Sequence, residues 1–372
     1  MSPSGSHAES STSDWGAPRY EIRAALASDE EELLGLAAFL NTVNLPNDRL
    51  HVRRLLEHSE RSFRGEGAPA LRKFVFLLRN LQQNEAAGTS MIVAQLGRRD
   101  APYIYLDVIS EEKYSQALDR HFHHTVLKIG FSFDGPTEIG GLVVRPSRRK
   151  DPERLGLLIS YVRFLFIAMH PELFRGEVLA ELMPPLESDG TSHLWEALGR
   201  RFTGMSYAEA DLLSSTDKTF IRDLFPSGDI YATLLGPDAE AVIGRVGNQT
   251  RGVEKMLRRI GFRYAERIDP FDGGPHFIAP VEEISLIAQS AERKILALRE
   301  PSKGAQRALL ARDYPSAPYF RALLVNAERA EDAGVIVSPS AAGTLDLSVG
   351  DRAWLLALNS QRAAIASTQP DS

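Results

Sequence analysis

TEIGGLVVRPSRRKDPERLGLLISYVRFLFIAMH, residues 137–170, carries the strongest structural signal in the chain. The apolar run 138–146 ends in Arg-Pro and predicts a buried strand. Residues 147–154 form a cationic loop, and the apolar positions of 155–170 recur at the spacing of a helix with a wide buried face. A strand, a basic loop and a helix in this order form a corner at which the helix start offers free N–H groups and the positive end of its dipole.

This corner is suited to a phosphate group. Four cationic side chains add positive charge there, namely Arg148, Arg149, Lys150 and Arg154. A coenzyme with a pyrophosphate would fit this combination of charge and helix N-terminus. Similar corners are also common where nothing binds, so this stretch alone leaves a purely structural role open.

The composition is that of a globular protein and excludes several functions. The chain has 372 residues, of which 43% are hydrophobic and 25% charged, and its formal net charge is −6. This acidic balance argues against nonspecific nucleic-acid binding, which requires a broad basic surface. The absence of cysteine excludes disulfides, thiolate metal sites and a cysteine nucleophile, and it fits a cytoplasmic location. No apolar run reaches membrane-spanning length, so no membrane association is expected.

The order of the predicted elements indicates an α/β fold of the α+β type. A first strand precedes two helices, 28–40 and 49–62, and a meander of strands follows them. This order differs from the regular alternation of a doubly wound parallel sheet, and it predicts a mixed, mostly antiparallel sheet flanked by helices. Further along the chain we predict a strand at 205–207 and a helix at 281–298.

Two polar clusters outside the opening stretch invite a functional interpretation. His121 and His123 would share one face of a strand, with His124 on the other, but two ligands do not complete a zinc site. A surface strand edge is the favoured interpretation. Asp269 and Asp272 lie in IDPFDGGP, where paired carboxylates would suit a metal or an amine, although Asp and Gly-Gly are also ordinary turn residues.

Segments along most of the chain share their order and spacing with a known family. They include RFLFIA at 163–168, WEALGRRF at 195–202, GFRY at 261–264 and FDGGP at 271–275. Over about residues 20–358 the chain resembles the arginine N-succinyltransferase family, which is part of the GNAT-type acyl-CoA N-acyltransferase superfamily. The resemblance implies a GNAT-like fold, together with a second, partial GNAT-like unit.

The resemblance also implies an activity. The family moves a succinyl group from succinyl-CoA to the α-amine of L-arginine in arginine catabolism. The expected co-substrate is therefore succinyl-CoA and the expected partner L-arginine or a similar amine, with no metal, nucleic acid or membrane involved. Assembly with itself or with a related subunit is compatible with this interpretation.

The family comparison assigns roles to the opening stretch. The strand at 138–146 would lie along the pantetheine arm of the coenzyme, and the loop and helix start would hold the pyrophosphate. The candidate coenzyme-binding residues are Leu142, Val144, Arg149, Arg154 and Gly156.

Departures from the family pattern affect the catalytic residues. The family has a histidine, assigned as proton donor, where this chain has Gly247, and an Arg-Gly pair where this chain has Met183-Pro184. The candidate catalytic residues are consequently Glu138 and Tyr231, with His276 or water as further proton carriers. Two alternatives stay open. One is a changed acyl donor or amine acceptor, and the other is a non-catalytic acyl-CoA-binding or regulatory subunit.

The predicted organisation has three folded parts between two tails. Helix, glycine and aromatic residue recur in LGRRF and LRRIGF, which suggests an internal half-repeat. We predict a disordered tail at 1–18 and a second tail at 360–372. Between them we predict a GNAT-like acyl-CoA-binding core at 19–212, a second helix/strand half-repeat unit at 213–300, and a small β-rich region at 301–359.

Overall fold

The computed structural model describes residues 17–40, 45–98, 101–187, 189–214, 217–302, 304–330 and 333–358. The predicted tail at 360–372 and most of the tail at 1–18 lie outside these residues. Within the described ranges, no helix combines the length and the apolar character needed to cross a membrane.

The first half of the chain contains the opening stretch and the helices that pack around it. Its strands are β1 Tyr20–Ala24, β2 Lys73–Asn80, β3 Glu85–Val93, β4 Tyr103–Ser115, β5 Arg120–Ser132, β6 Thr137–Val144 and β7 Glu177–Glu181. Its helices are α1 Glu30–Ala37, α2 Arg49–Phe63 and α3 Leu155–Met169. The predicted strand and helix of the opening stretch are therefore β6 and α3.

The second half alternates short helices with strands. Its strands are β8 Ile230–Tyr231, β9 Arg263–Ile268, β10 Pro275–Pro280, β11 Ala291–Leu298, β12 Gln306–Asp313, β13 Phe320–Arg329, β14 Val335–Val337 and β15 Arg352–Ala357. Its helices are α4 Arg200–Thr203, which a π-helical turn precedes, α5 Tyr207–Ser214, α6 Thr219–Leu224, α7 Pro237–Val242, α8 Arg251–Arg259, α9 Ser285–Gln289 and α10 Pro339–Thr344.

One continuous sheet connects the described strands, in the order β12-β15-β11-β14-β13-β1-β2-β3-β6-β7-β10-β9-β4-β5-β8. Its pairings are antiparallel except for β6 with β7 and β11 with β14. The predicted α+β fold with a mixed, mostly antiparallel sheet is confirmed. Strands from all three predicted parts share this sheet, so the boundaries at 212 and 300 stay predictions.

Helices cover both faces of the central strands. Phe74 and Phe76 of β2 belong to the core beneath α3, whereas Val75 and Leu77 belong to the core beneath α1 and α2. This alternation follows from the two-residue period of a strand. It also identifies which strand residues lie on the α3 face of the sheet and which lie on the opposite face.

The C-terminal strands form a small closed barrel. β12 pairs with both β13 and β15, so the five strands β11 to β15 close on themselves around an apolar interior. The predicted helix at 281–298 is wrong beyond Gln289, because residues 291–298 form β11. Its alternating AERKILAL sequence buries Ile295 completely in the barrel. The predicted strand at 205–207 is also absent, because Tyr207 begins α5.

Candidate active site

The strands β6 and β7 separate after a short contact. They pair in parallel only at Thr137 with Val178 and at Glu138 with Leu179. Beyond these residues, β6 continues along β3 and β7 continues along β10. The facing edges of β6 and β7 therefore leave an open wedge in the sheet, which we call the wedge, and a ligand can reach backbone groups there.

A bulge shapes the β6 side of the wedge. The ladder with β3 shifts register between Gly140 and Val143, which leaves one extra residue in β6. Within the bulge, Gly141 has φ of +57°, and a Cβ atom at this position would lie 3.0 Å from the Met91 side chain. Glycine is therefore favoured here on both conformational and steric grounds.

The predicted coenzyme-binding residues lie together along β6 and at the start of α3. Leu142 and Val144 are half-buried and pack against the core beneath α3. Arg149, Arg154 and Gly156 are exposed at the corner that follows. The structure thus brings all five residues to one side of the wedge.

The corner leaves space and positive charge at the α3 N-terminus. Arg154 is the N-cap residue in the left-handed region, with φ of 58°, and a Cβ atom at Gly156 would meet nothing within 4 Å. Arg148, in contrast, is tied back to Glu85 at 2.6 Å. Of the predicted basic cluster, Arg149, Lys150 and Arg154 consequently remain exposed toward an anion at this end of α3.

A buried arginine lies under the wedge. Arg163 of α3 is only 2% exposed. It donates hydrogen bonds to the Ser160 carbonyl at 3.1 Å, to Ser160 Oγ at 2.7 Å and to the Gly140 carbonyl at 3.4 Å. No carboxylate of the described residues forms an ion pair with it, and burial lowers its pKa to about 9. At neutral pH the Arg163 guanidinium is therefore mostly protonated and positively charged, with no carboxylate counter-ion in the described part of the chain.

Carboxyl groups collect on the opposite face of the sheet. Ala180 and Leu182 belong to the core beneath α3, so Glu181 between them faces away from α3. We call its surroundings the acidic cluster. Its members are Glu138 of β6, Glu181 of β7, Asp211 of α5, and Asp269 and Asp272 of the β9–β10 loop.

Burial and mutual repulsion raise the pKa values within the acidic cluster. The Glu181 side chain is partly exposed, but the surrounding protein desolvates its carboxyl group in part, and this effect, followed by the charges of Glu138 and Asp269, raises its pKa above the usual range. Burial, followed by the Asp269 charge, raises the pKa of Asp211 to about 7. Lys218 is close enough to offset part of this repulsion. A cation that entered the cluster would relieve repulsion and would favour the ionised carboxylates.

His276 forms the floor of the acidic cluster. It is fully buried, and its Nδ1 lies 2.6 Å from the Tyr103 hydroxyl. Its Nε2 has no hydrogen-bond partner among the residues that the structure describes, and it lies 3.6 Å from Glu181 Oε1. Ligand atoms of Glu181, Asp269 and His276 lie within 4.8 Å of one another, a spacing that would allow them to share a cation.

The tautomer of His276 argues against coordination of a cation by the ring. Burial raises the pKa of Tyr103 far above its usual range, so the phenol keeps its proton. Among the described residues, Nδ1 is the nitrogen within hydrogen-bond distance of this hydroxyl, and we infer that the phenol donates to it. The proton of the neutral ring then sits on Nε2 and points toward Glu181. A protonated nitrogen offers no lone pair to a metal, so the arrangement is a donor facing carboxylates.

The two predicted catalytic residues lie in different places. Glu138 is buried beside the wedge, within the acidic cluster. Tyr231 lies on β8 at the far end of the sheet, six strands away from β6, where its hydroxyl donates to Glu111 at 2.6 Å and accepts from Lys113 at 2.8 Å. The structure does not bring Tyr231 together with Glu138.

Gly247 packs closely against the end of β7. Its N–H donates to the Met183 carbonyl at 2.8 Å, and a Cβ atom there would lie 2.5 Å from the Pro184 carbonyl oxygen. Two departures from the family pattern, Gly247 and Met183-Pro184, therefore contact each other.

Sequence reasoning missed several residues of this region. No role was predicted for Glu181, Asp211, Tyr103 or Arg163, although Arg163 begins the RFLFIA segment of the family resemblance, because their local sequences are ordinary strand or helix patterns. One signal was available for Arg163, because it interrupts an otherwise apolar helix face.

Comparison with known proteins gives a consistent result. A family model described as arginine N-succinyltransferase beta subunit matches residues 20–286. An arginine N-succinyltransferase from Yersinia pestis (strain Pestoides F) is 29% identical over 338 residues, which cover 89% of this chain and 95% of the relative. Arginine N-succinyltransferase subunit beta from Pseudomonas aeruginosa is 31% identical over 355 residues, covering 94% of this chain and 98% of the relative.

A solved structure supports the same relationship. The arginine/ornithine succinyltransferase subunit AI from Pseudomonas aeruginosa aligns with a TM-score of 0.79 at 27% sequence identity. The alignment covers 92% of this chain and 100% of that chain.

Proposed function

This chain belongs to the arginine N-succinyltransferase family, and from that membership we propose that it transfers a succinyl group from succinyl-CoA to the α-amine of L-arginine. The observation that carries the proposal is the wedge between β6 and β7, which has a buried cation beneath it and the acidic cluster on the opposite face. A donor that ends in a carboxylate and an acceptor that carries a guanidinium match these two charges.

The acyl-CoA donor binds along the β6 side of the wedge. The pyrophosphate binds the α3 N-terminus with Arg149 and Arg154, and the pantetheine arm follows Leu142 and Val144 into the wedge. The acyl group then lies at the bulge, close to the carbonyl of Gly140 that Arg163 contacts. A succinyl carboxylate is the counter-ion that Arg163 lacks among the described side chains.

The acceptor is placed by the acidic cluster. The guanidinium of arginine carries a fixed positive charge, which suits several carboxyl groups whose repulsion it relieves. Its α-amine then faces the wedge and attacks the thioester carbonyl directly. The acidic cluster and Arg163 lie on opposite faces of the sheet. Both substrates can therefore be bound at the same time and meet at the bulge.

A thiol-release assay tests this function. Succinyl-CoA with L-arginine is expected to release free CoA and to form succinylarginine, which mass spectrometry identifies. Acetyl-CoA is the matched donor control and is expected to react more slowly because it lacks the terminal carboxylate. Calorimetric binding of succinyl-CoA without thiol release, with arginine and a panel of amines, would instead favour the non-catalytic alternative.

Arginine binding is expected to weaken as the pH falls from 8 to 6. Asp211, whose pKa is about 7, gains a proton over this range, so the acidic cluster loses negative charge while the guanidinium keeps its own. We expect Kd for L-arginine, measured by calorimetry with CoA present, to rise about three- to tenfold, or roughly 1 kcal/mol.

The D211N variant separates this effect from others. It is expected to bind arginine weakly at pH 8 and to show a flatter pH dependence. D229N removes an exposed aspartate outside the cluster and is the matched control. An unchanged pH dependence in D211N would assign the effect to a different group.

A further inference from the structure

The acceptor amine must lose a proton before it attacks, and position 247, where the family has its proton donor, is a glycine with no ionisable side chain. An α-amine with a pKa of about 8 is mostly protonated at neutral pH. The group that takes this proton has to lie at the wedge and be reachable by the substrate. Glu181 meets both requirements, because it is the last residue of β7 and its side chain is 32% exposed.

Charged groups around Glu181 disfavour the ionisation of its carboxyl group. Glu138, Asp269 and Asp272 repel its charge, while Lys218 attracts it. A carboxyl group whose ionisation is disfavoured in this way accepts a proton more readily than an exposed glutamate does.

Behind Glu181, His276 is held in one orientation. The ladder between β7 and β10 places His276 directly opposite Glu181. The Tyr103 hydroxyl lies 2.6 Å from Nδ1, to which we infer that it donates, and its ring stacks against the imidazole with centroids 5.6 Å apart. The free Nε2–H is thereby aimed at the Glu181 carboxyl group from 3.6 Å, where a small movement would complete a hydrogen bond.

Position 247 and His276 flank the same strand end. The Gly247 N–H donates to Met183, two residues after Glu181, and His276 pairs with Glu181 itself. An imidazole therefore lies next to the end of β7 in this chain although residue 247 cannot supply one.

We propose that Glu181 is the base that takes the proton from the acceptor ammonium group, and that His276, fixed by Tyr103, is the positioning residue that orients the Glu181 carboxylate. This proposal rests on the proposed function. It names residues for the deprotonation of the amine, a step distinct from the proton donation that the resemblance assigns to position 247.

The proposed step balances as follows in atoms and charge. The ammonium N–H bond breaks and its proton goes to a Glu181 carboxylate oxygen. The freed electron pair of nitrogen forms the C–N bond, the C–S bond breaks, and a second proton from nitrogen goes to the departing sulfur. The protonated Glu181 returns its proton to water, so the products are the amide, free CoA and one proton.

Removing the base gives the first test. The E181Q variant keeps the shape of the side chain, and its kcat is expected to fall about 10²- to 10⁴-fold, with KM for succinyl-CoA nearly unchanged. The rise of kcat with pH on the acidic side is expected to disappear in E181Q. A retained kcat, or an unchanged acidic limb, would overturn the role of Glu181.

Two amide substitutions at His276 distinguish positioning from simple packing. The amide nitrogen of H276Q reproduces Nε2, whereas that of H276N reproduces Nδ1. We expect the kcat of H276Q to stay within about tenfold of the wild-type value. The kcat of H276N is expected to fall about 10²-fold or more, which is the usual size of a general acid–base contribution. Equal losses in both variants would overturn the positioning role. H123Q, which alters an exposed histidine of β5, is the matched control.

The tautomer of His276 can be measured without turnover. This result stays interpretable if a variant folds poorly or if the proposed function is wrong. Nitrogen-15 NMR of the wild-type imidazoles is expected to show His276 with its proton on Nε2, and Y103F is expected to change that tautomer. A proton on Nδ1 in the wild type would overturn the proposed orientation. Absence of thiol release from the wild type, with any donor and amine, would contradict the proposed function but leave the tautomer result readable.

Discussion

Replacing Gly247 with histidine is expected to destabilise the protein rather than to restore a faster reaction. The Cβ atom of any side chain there would lie 2.5 Å from the Pro184 carbonyl oxygen and 3.0 Å from the Met183 carbonyl oxygen. Both contacts are with backbone, which cannot rotate away, so the end of β7 must move. We expect G247A and G247H each to lose about 1–3 kcal/mol of unfolding free energy, and G247H to lose thiol-release activity as well.

Urea denaturation with a matched glycine control measures this effect. A Cβ atom at Gly252, in α8, meets nothing within 4 Å, so G252A is expected to gain about 0.5–1 kcal/mol. A stable and faster G247H would mean that the site lacks only the missing imidazole. That result would also remove the need for the proposed role of His276.

Replacing Arg163 with methionine is expected to lower the selectivity for succinyl-CoA without lowering the stability of the substrate-free protein. Methionine retains much of the buried volume but removes an isolated charge, so the substrate-free protein is expected to become no less stable. Loss of a charged hydrogen bond to the succinyl carboxylate, about 1.5–3 kcal/mol, would lower kcat/KM for succinyl-CoA about 10- to 100-fold. Acetyl-CoA and butyryl-CoA would lose much less.

The matched control for R163M is R149M. Arg149 is proposed to contact the pyrophosphate that all donors share, so R149M is expected to weaken every acyl-CoA by a similar factor. Thermal unfolding and kcat/KM for the three donors are the measurements. A large loss of stability in R163M without a change in donor preference would show that Arg163 only supports the Gly140 carbonyl.

Helices and strands with a clear local apolar pattern could be predicted from the sequence. The apolar spacing of α3 and the run of β6 were predicted because both are buried by local patterns, and the family resemblance was confirmed by comparison with known proteins. The predicted helix at 281–298 failed because its charged residues resemble a solvated helix face. In the structure, tertiary pairing with β14 and β15 makes residues 291–298 a strand.

The candidate site was less accessible from sequence for a physical reason. Glu181 and Asp269 are 88 positions apart in numbering, and only the pairing of β7, β10 and β9 brings them together. Whether Asp269 and Asp272 have a functional role or only a turn role likewise depends on neighbours from other elements. Asp269 accepts the Phe271 N–H as a turn residue does, and it also belongs to the acidic cluster.

The position of β1 between β2 and β13 has a consequence for the newly synthesised chain. Residues of β1 are synthesised well before Arg321, which pairs with Glu21 across 300 positions. Until then one edge of β1 has no neighbour, and such an edge can pair with other chains. Completion of the sheet is therefore expected only after β13 has been synthesised, with slow, concentration-sensitive refolding in vitro.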